Sequence, residues 1–151
     1  MENCFGENSL PLLIYSSSVM AQVPRAIDVR LAHEVRKLCG LDFDTSPVPM
    51  WIHDRKTLAF VFVNSAAVVY YGFSMTEFLR MTILDIRPPE DVPGIIHDVL
   101  YPHFHDPNGD LRRHRTKKGK VVQVGIKAHK LMFDDREVEV VAVDVGPRPR
   151  Q

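Results

Sequence analysis

The 151-residue chain is poor in cysteine: it has two, Cys4 and Cys39, far apart and outside any Cys-x-x-Cys or Cys/His grouping. That spacing offers neither a disulfide framework nor a cysteine zinc site, so both are read as reduced thiols. Long apolar runs are also lacking. Leu10 to Tyr15 falls well short of the roughly 20 residues that a membrane helix needs, and Glu2 and Glu7 stand where a secretory signal would carry positive charge. The expected location is the cytoplasm. Nor is there an excess of charge of one sign, because 19 basic and 19 acidic side chains cancel to zero. This argues against a generally basic nucleic-acid binder and makes any electrostatic function regional. No nucleophile elbow, zincin helix or phosphate-cradling glycine loop occurs, so no catalytic residue is assigned and no enzyme is expected.

What is present is a change of period along the chain. Ile27, Leu31, Val35 and Leu38 make one apolar stripe on a helix over about 25–39, which Gly40 is placed to end. The stripe either docks on the domain that follows or pairs with the same helix of a second chain. Pro47 and Pro49 exclude a helix there, and Met50 to Asp54 reads as a strand, followed after a polar turn by a second strand from Leu58 to Val63. Asn64 is the N-cap of a helix over Ser65 to Tyr71 that Gly72 closes, and Ser74 with Glu77 forms a capping box for another short helix. After Pro88 and Pro89, Asp91 and Pro93 open a helix in which Val92, Ile95, Ile96, Val99 and Leu100 keep helical spacing. Strands follow at Leu111 to Arg115, Val121 to Ala128 and Glu137 to Val145, with turns at Lys117 to Gly119 and at Asp134 and Asp135. The stretch Val141 to Val145 is apolar on both sides, the pattern of a central strand with its second face covered, for which the N-terminal helix is the candidate. The order defines an α+β domain, a five-stranded antiparallel sheet with short helices on one face and an extra N-terminal helix.

The segments Pro49-Met50-Trp51-Ile52-His53-Asp54, Phe62-Val63-Asn64-Ser65-Ala66-Ala67, Tyr70-Tyr71-Gly72-Phe73-Ser74, Glu77-Phe78-Leu79 and Met81 to Asp91 resemble the opening half of a PAS domain of bacterial signalling proteins. Arg113-His114-Arg115, Lys118-Gly119-Lys120 and Val143-Asp144 are similar to the second half. The resemblance covers about 42–145, leaving 1–41 as an extension and 146–151 as a tail expected to be disordered, where Pro147 and Pro149 stop any continuing helix. It implies a non-catalytic sensory or interaction module that binds a small metabolite, pairs as a homodimer, or both. The implied partner is a histidine kinase, response regulator or diguanylate cyclase. A ligand-free protein–protein adaptor is the alternative.

The cofactors of this family are tested on the residues. Aligned from Gly72, the cysteine of the light-sensing branch falls at Ile83, which excludes cysteinyl-flavin photochemistry. A haem sensor would use His97 on the long helix, but His97 lies roughly 140° from the centre of the apolar stripe at ~100° per residue, on the polar side, so haem is not expected. His103 and His105 with Asp106 lack a third metal ligand on a rigid element. The basic run from Arg112 to Lys120 has no interleaved aromatic side chain and reads as a solvated strand end and turn, so no nucleic-acid partner is expected.

For the pocket, alternation puts Val122, Val124, Ile126 and Ala128 on one face, and the resemblance turns that face inward together with Val138, Val140 and Ala142. Trp51 and His53 share a side of the first strand, and His114 points in between Arg113 and Arg115. Phe78, Leu79, Met81 and Ile83 close the far wall. The expected pocket residues are Trp51, His53, Phe78, Met81, His114, Val124, Ile126 and Ala142. The indole and the two imidazoles need partners when buried, so they either bond to one another and to backbone or receive a planar or anionic ligand oriented by His53 and His114. Asn64, Gly72, Ser74 and Glu77 are read as structural caps.

Overall fold

The structure is a computed structural model and describes residues 27–101 and 111–146. Asp28 caps helix α1 (Val29–Cys39) by accepting the N–H groups of Arg30 and Leu31, and Gly40 ends it in the left-handed conformation, φ 70°. Strands β1 (Met50–Asp54) and β2 (Phe60–Val63) follow, then α2 (Ser65–Tyr71) and the one-turn α3 (Met75–Phe78). Two short 3₁₀ turns, Ile83–Ile86 and Pro89–Asp91, lead into α4 (Val92–Leu100). The chain closes with β3 (Leu111–Arg115), β4 (Val121–Phe133) and β5 (Arg136–Asp144). The five strands form one antiparallel sheet in the order β2-β1-β5-β4-β3, so the last strand lies in the middle.

The turns follow from local chemistry. Asp134 and Asp135 both take positive φ, 49° and 62°, as a two-residue hairpin requires if its twist is to match the strands it joins. Between β1 and β2, Asp54 Oδ1 accepts the N–H groups of Lys56 and Thr57 at 2.7 and 2.8 Å, and Oδ2 accepts from Arg136 at 2.9 Å. Those backbone N–H groups and then the guanidinium hold its carboxyl at about 2. Strand β2 starts two residues later than Leu58, which sits at φ 66°, and a register shift between Ile52 and His53 turns Val61 and Phe62 toward the same core. Strand β4 runs on to Phe133 instead of stopping near Ala128. Leu131 and Phe133 cover the α1 core, with Phe133 edge-on to Phe62 and under Arg30.

The sheet is buried on both faces. On one, Ile27, Leu31 and Val35 pack with Met50, Ile52, Val138, Val140 and Ala142. The helix stripe therefore docks on the sheet, and Leu38 alone of that stripe stays 43% exposed. On the other, Trp51, Phe60, Tyr71, Phe78, Ile86, Val124, Val141 and Val143 form a second core under the short helices.

This arrangement corrects the phase expected for the last strand. Met50 stands opposite Ala142, Ile52 opposite Val140 and Asp54 opposite Val138, so Val138, Val140 and Ala142 face α1, not the pocket. The residues that share the side of Trp51 and His53 are Val141 and Glu139. Alternation cannot set the phase of a strand that is apolar on both faces, and the phase implied by the resemblance was the opposite of the one observed.

Asn64 does more than cap α2. Its Oδ1 accepts from Met50 and Ala67 at 2.9 and 3.0 Å, and its Nδ2 donates to the carbonyls of Phe43 and Val48, both at 2.9 Å. All four of its bonding positions are filled, joining the segment after α1, the start of β1 and the first turn of α2. Ser74 and Glu77 complete the expected capping box, and Gly72 takes φ 86°.

If α1 is an integral part of this core, Leu31→Ala, at a site 1% exposed, lowers unfolding free energy by about 2–5 kcal/mol in urea titration. Val29→Ala, at 83% exposure, leaves it within about 0.5 kcal/mol. Equal effects of the two would contradict the docking of α1.

Candidate functional site

Helix α4 buries none of its residues, although more than half of them are apolar. Val92 and Ile95 are half-buried, while Ile96, Val99 and Leu100 are exposed, so the five-residue stripe is only partly seated. Pro93 and Gly94 in the first turn, both poor helix formers, accompany this loose seating. Between α4 and the sheet lies a cavity of about 240 Å³ whose floor is Trp51, His53, Ile126, Val141 and Glu139, and whose rim is Ile83, Arg87, Ile95, Asp98 and Arg112. A wider groove of about 480 Å³ runs from it along α4 and β3, sharing Arg87, Ile95, Asp98 and Arg112.

The expected pocket residues divide three ways. Trp51, His53 and Ile126 line the cavity. Phe78, His114 and Val124 are buried in the core beside it, and Met81 packs against that core without reaching the cavity. Ala142 lies on the opposite face, as described above, and borders a separate apolar groove with Pro47, Pro49 and Val145.

The buried ring nitrogens are largely satisfied from within. Trp51 Nε1–H donates to His53 Nδ1 at 3.1 Å, which leaves the proton of that ring on Nε2, 3.3 Å from Glu139 Oε1. His53 lowers the Glu139 carboxyl below its ordinary range, burial opposing it and Arg55 and Lys130 assisting. His114 Nδ1 and the Tyr71 hydroxyl are 2.7 Å apart. Burial first, then the positive Arg87 and Arg112, push His114 down to about 3, so its ring is neutral, and burial pushes the Tyr71 phenol up. His114 Nε2 is buried with no partner among the described residues. The His53 Nε2–H is thus taken by Glu139, and His114 lies in the core beside the cavity without lining it.

The polar groups that do converge there are guanidiniums. Arg87 follows the buried Ile86 at the end of the first 3₁₀ turn and is drawn inward by its place against the sheet. Its Nε is buried and without an acceptor among the described residues. Burial and then the like charge of Arg112 lower it to about 10. Arg112 shares the face of β3 with His114, two residues along, and stands opposite Val124. The same alternation that turned His114 inward would have found it in the sequence, had the charged members of the basic run not all been read as solvated.

The remainder of that run is held by acids. Arg113 bonds Asp91 at 2.7 Å and Glu90 at 3.3 Å, and Lys117 bonds Glu77 at 2.9 Å. His97 is 58% exposed beside Asp98, on the outer side of α4, as its helical angle required. Ile83 borders the cavity with no thiol there. Among the described residues no group of three metal-binding side chains occurs, and no helix is long and apolar enough to cross a membrane. His103, His105, Asp106 and Cys4 lie outside the described residues, as does the tail from Pro147.

A five-stranded antiparallel sheet in this order, with short helices over a cleft on one face, defines an α+β domain with one closed and one partly open face. Residues 36–107 match the family model described as PAS domain. Over that segment the chain is similar to PAS domains, and its five-stranded sheet with short helices has the PAS fold. Solved structures share the fold. It is similar to a PAS domain from a two-component sensor histidine kinase, with 18% identity, 77% of this chain and 97% of that chain covered, and TM-score 0.54. A domain of the sensory box sensor histidine kinase/response regulator from Geobacter sulfurreducens shows 19% identity, 74% and 92% coverage, and TM-score 0.54. The PAS domain of an HTR-like protein from Haloarcula marismortui shows 16% identity, 76% and 93% coverage, and TM-score 0.55. No curated protein matches the chain.

The lowered Glu139 carboxyl carries a pH signature. A group lowered on folding contributes stability that is complete above its ordinary value of 4.5 and is lost as pH falls through its folded value. Glu139→Gln is expected to cost about 1–2 kcal/mol at neutral pH and to flatten that acid limb of the stability curve. An unchanged limb would show that the His53–Glu139 contact contributes nothing.

Proposed function

We propose that this domain is a non-catalytic signalling module that binds a small metabolite in the cleft beneath α4 and passes its occupancy to a signalling partner. The observation that carries this reading is the cavity itself. It is slightly smaller than the roughly 300–1,000 Å³ typical of drug-sized ligand sites, and it combines apolar walls with a few convergent polar groups. A ligand-free adaptor would fill this space with its own side chains. Helix α4, whose inner side is only partly seated, has apolar surface to gain when the space is occupied.

Occupancy has a path outward. Trp51 and His53 stand on the cavity floor, and Glu139 joins them to the central strand, so displacement at the floor reaches the sheet that α1 covers from behind. The partner belongs to the histidine kinase, response regulator or diguanylate cyclase class, and the setting is cytoplasmic. Pairing of two copies through the stripe of α1 is disfavoured because that stripe is already buried on the sheet.

Trp51 is the chain's single tryptophan and lines the cavity, which makes its emission a local probe. Protein purified gently is expected to retain a small molecule in native mass spectrometry, or to change its Trp51 emission and melting temperature with a member of a metabolite panel. Apo mass alone, together with no response across the panel, would contradict the sensor reading.

A further inference from the structure

His53 is a buried histidine whose ring has a different kind of partner on each side. Trp51 Nε1–H donates to Nδ1 at 3.1 Å, and Nε2 stands 3.3 Å from Glu139 Oε1. The two contacts respond oppositely to a proton. A neutral imidazole keeps one lone pair for the indole, whereas both nitrogens of an imidazolium are donors, so no orientation of the charged ring can accept from Trp51. The same charge strengthens the contact with the Glu139 carboxylate. Trp51 is 3% exposed, edge-on to Phe60 and Tyr71, and its N–H makes that one hydrogen bond among the described residues. Losing it strands a buried donor unless the indole turns toward the 240 Å³ cavity it borders, where water or an occupant can accept.

The charged groups that share the cavity with His53 are of both signs. Glu139 on β5 and Asp98 on α4 favour a proton on its ring, while Arg55 just after β1, Arg87 before α4 and Arg112 on β3 oppose it. Lys130 on β4 lies near Glu139, and the residue opposite His53 on β2 is the apolar Phe60. His114, its ring centroid 5.8 Å from the indole, is pushed down to about 3 by burial and by Arg87 and Arg112, so it stays neutral at ordinary pH.

We propose that Trp51, His53 and Glu139 form a proton-operated switch in the cavity floor: a proton taken from solvent by His53 breaks the Trp51 bond, frees the indole toward the cavity and ties β1 to β5 through Glu139. Without that proton the indole N–H is occupied and the ring is fixed against the sheet. With it, the floor presents a donor in need of an acceptor. Any occupant of the cleft then meets a surface that depends on pH, and by linkage an occupant that accepts from the indole favours the charged ring. The switch itself is complete in the ligand-free chain and does not depend on the cleft being a ligand site.

The test uses the full ligand-free chain, whose single tryptophan gives one indole N–H signal in a proton–nitrogen NMR spectrum and one emission band. Both are followed from about pH 8 to about pH 5, the range in which histidines in general change charge. The indole proton is expected to move to lower chemical shift in one step as its bond is lost. The His53 ring signals and a red shift of the emission should share its midpoint. His53→Gln is expected to abolish the step, and His97→Gln to keep it. Glu139→Gln, which removes the carboxylate that draws the proton, is expected to displace the step by about one pH unit toward acid. An indole signal unchanged across the range would overturn the proposal, as would a step that survives His53→Gln or a midpoint unmoved by Glu139→Gln. Should His53→Gln fail to fold, the wild-type chain decides alone: coincident midpoints for the indole and the His53 ring support the switch, and separate ones overturn it.

Discussion

The structure depends on the burial of β5 on both faces. A central strand with apolar side chains on each side needs a cover for each, and the two covers are unlike. Helix α1 gives one face a dry, closed core in which Leu31, Val35, Val138 and Val140 are almost wholly buried. With that face closed by the chain's own N-terminal side, the other can remain partly open. There the short helices close the end nearest Tyr71 and Phe78, while α4 stands over the centre without burying a residue. A closed back and an open front are consistent with the proposed ligand response.

The open side is also where the molecule departs from the chemistry of an ordinary core. Trp51, His53 and Glu139 satisfy one another in a line across β1 and β5. Arg87, His114 and Arg115 each keep a buried nitrogen without a partner among the described residues. Such nitrogens oppose stability, and their concentration on the cleft side of the sheet, with none on the α1 side, is the pattern of a face shaped by function. On the surface around it, Arg113 and Lys117 of the hairpin are tied by Asp91 and Glu77.

Much of this was legible in the sequence, because much of it is local. Asn64, Gly72, Ser74 and Glu77 announce their turns and caps, and the limits of β1, α2 and β3 follow from punctuation by proline, glycine and asparagine. The facing of Val122, Val124 and Ile126 followed from alternation because their strand is polar on the other side. The last strand offered no such contrast. Val140 to Val143 is apolar throughout, so alternation could not check the facing that the resemblance implied, and Ala142 was assigned to the wrong face. The site was half legible for the same reason. Trp51 and His53 were placed by period, whereas Arg87 needs the tertiary path after Ile86, and Arg112 was hidden in a run of charge whose exposed members dominated its reading. That α4 would remain unburied despite five apolar residues at helical spacing is a property of its distance from the sheet, which no pattern within the helix records.

Hydrogen–deuterium exchange on the ligand-free chain tests the central claim, one face closed by α1 and the other left open beneath α4. The account predicts that amides of α1 and of β5 from Val138 to Val143 exchange together and slowly, near the global unfolding limit, while those of α4 from Ile95 to Leu100 exchange much faster. Protection of α4 equal to that of β5, or rapid exchange of α1, would contradict it.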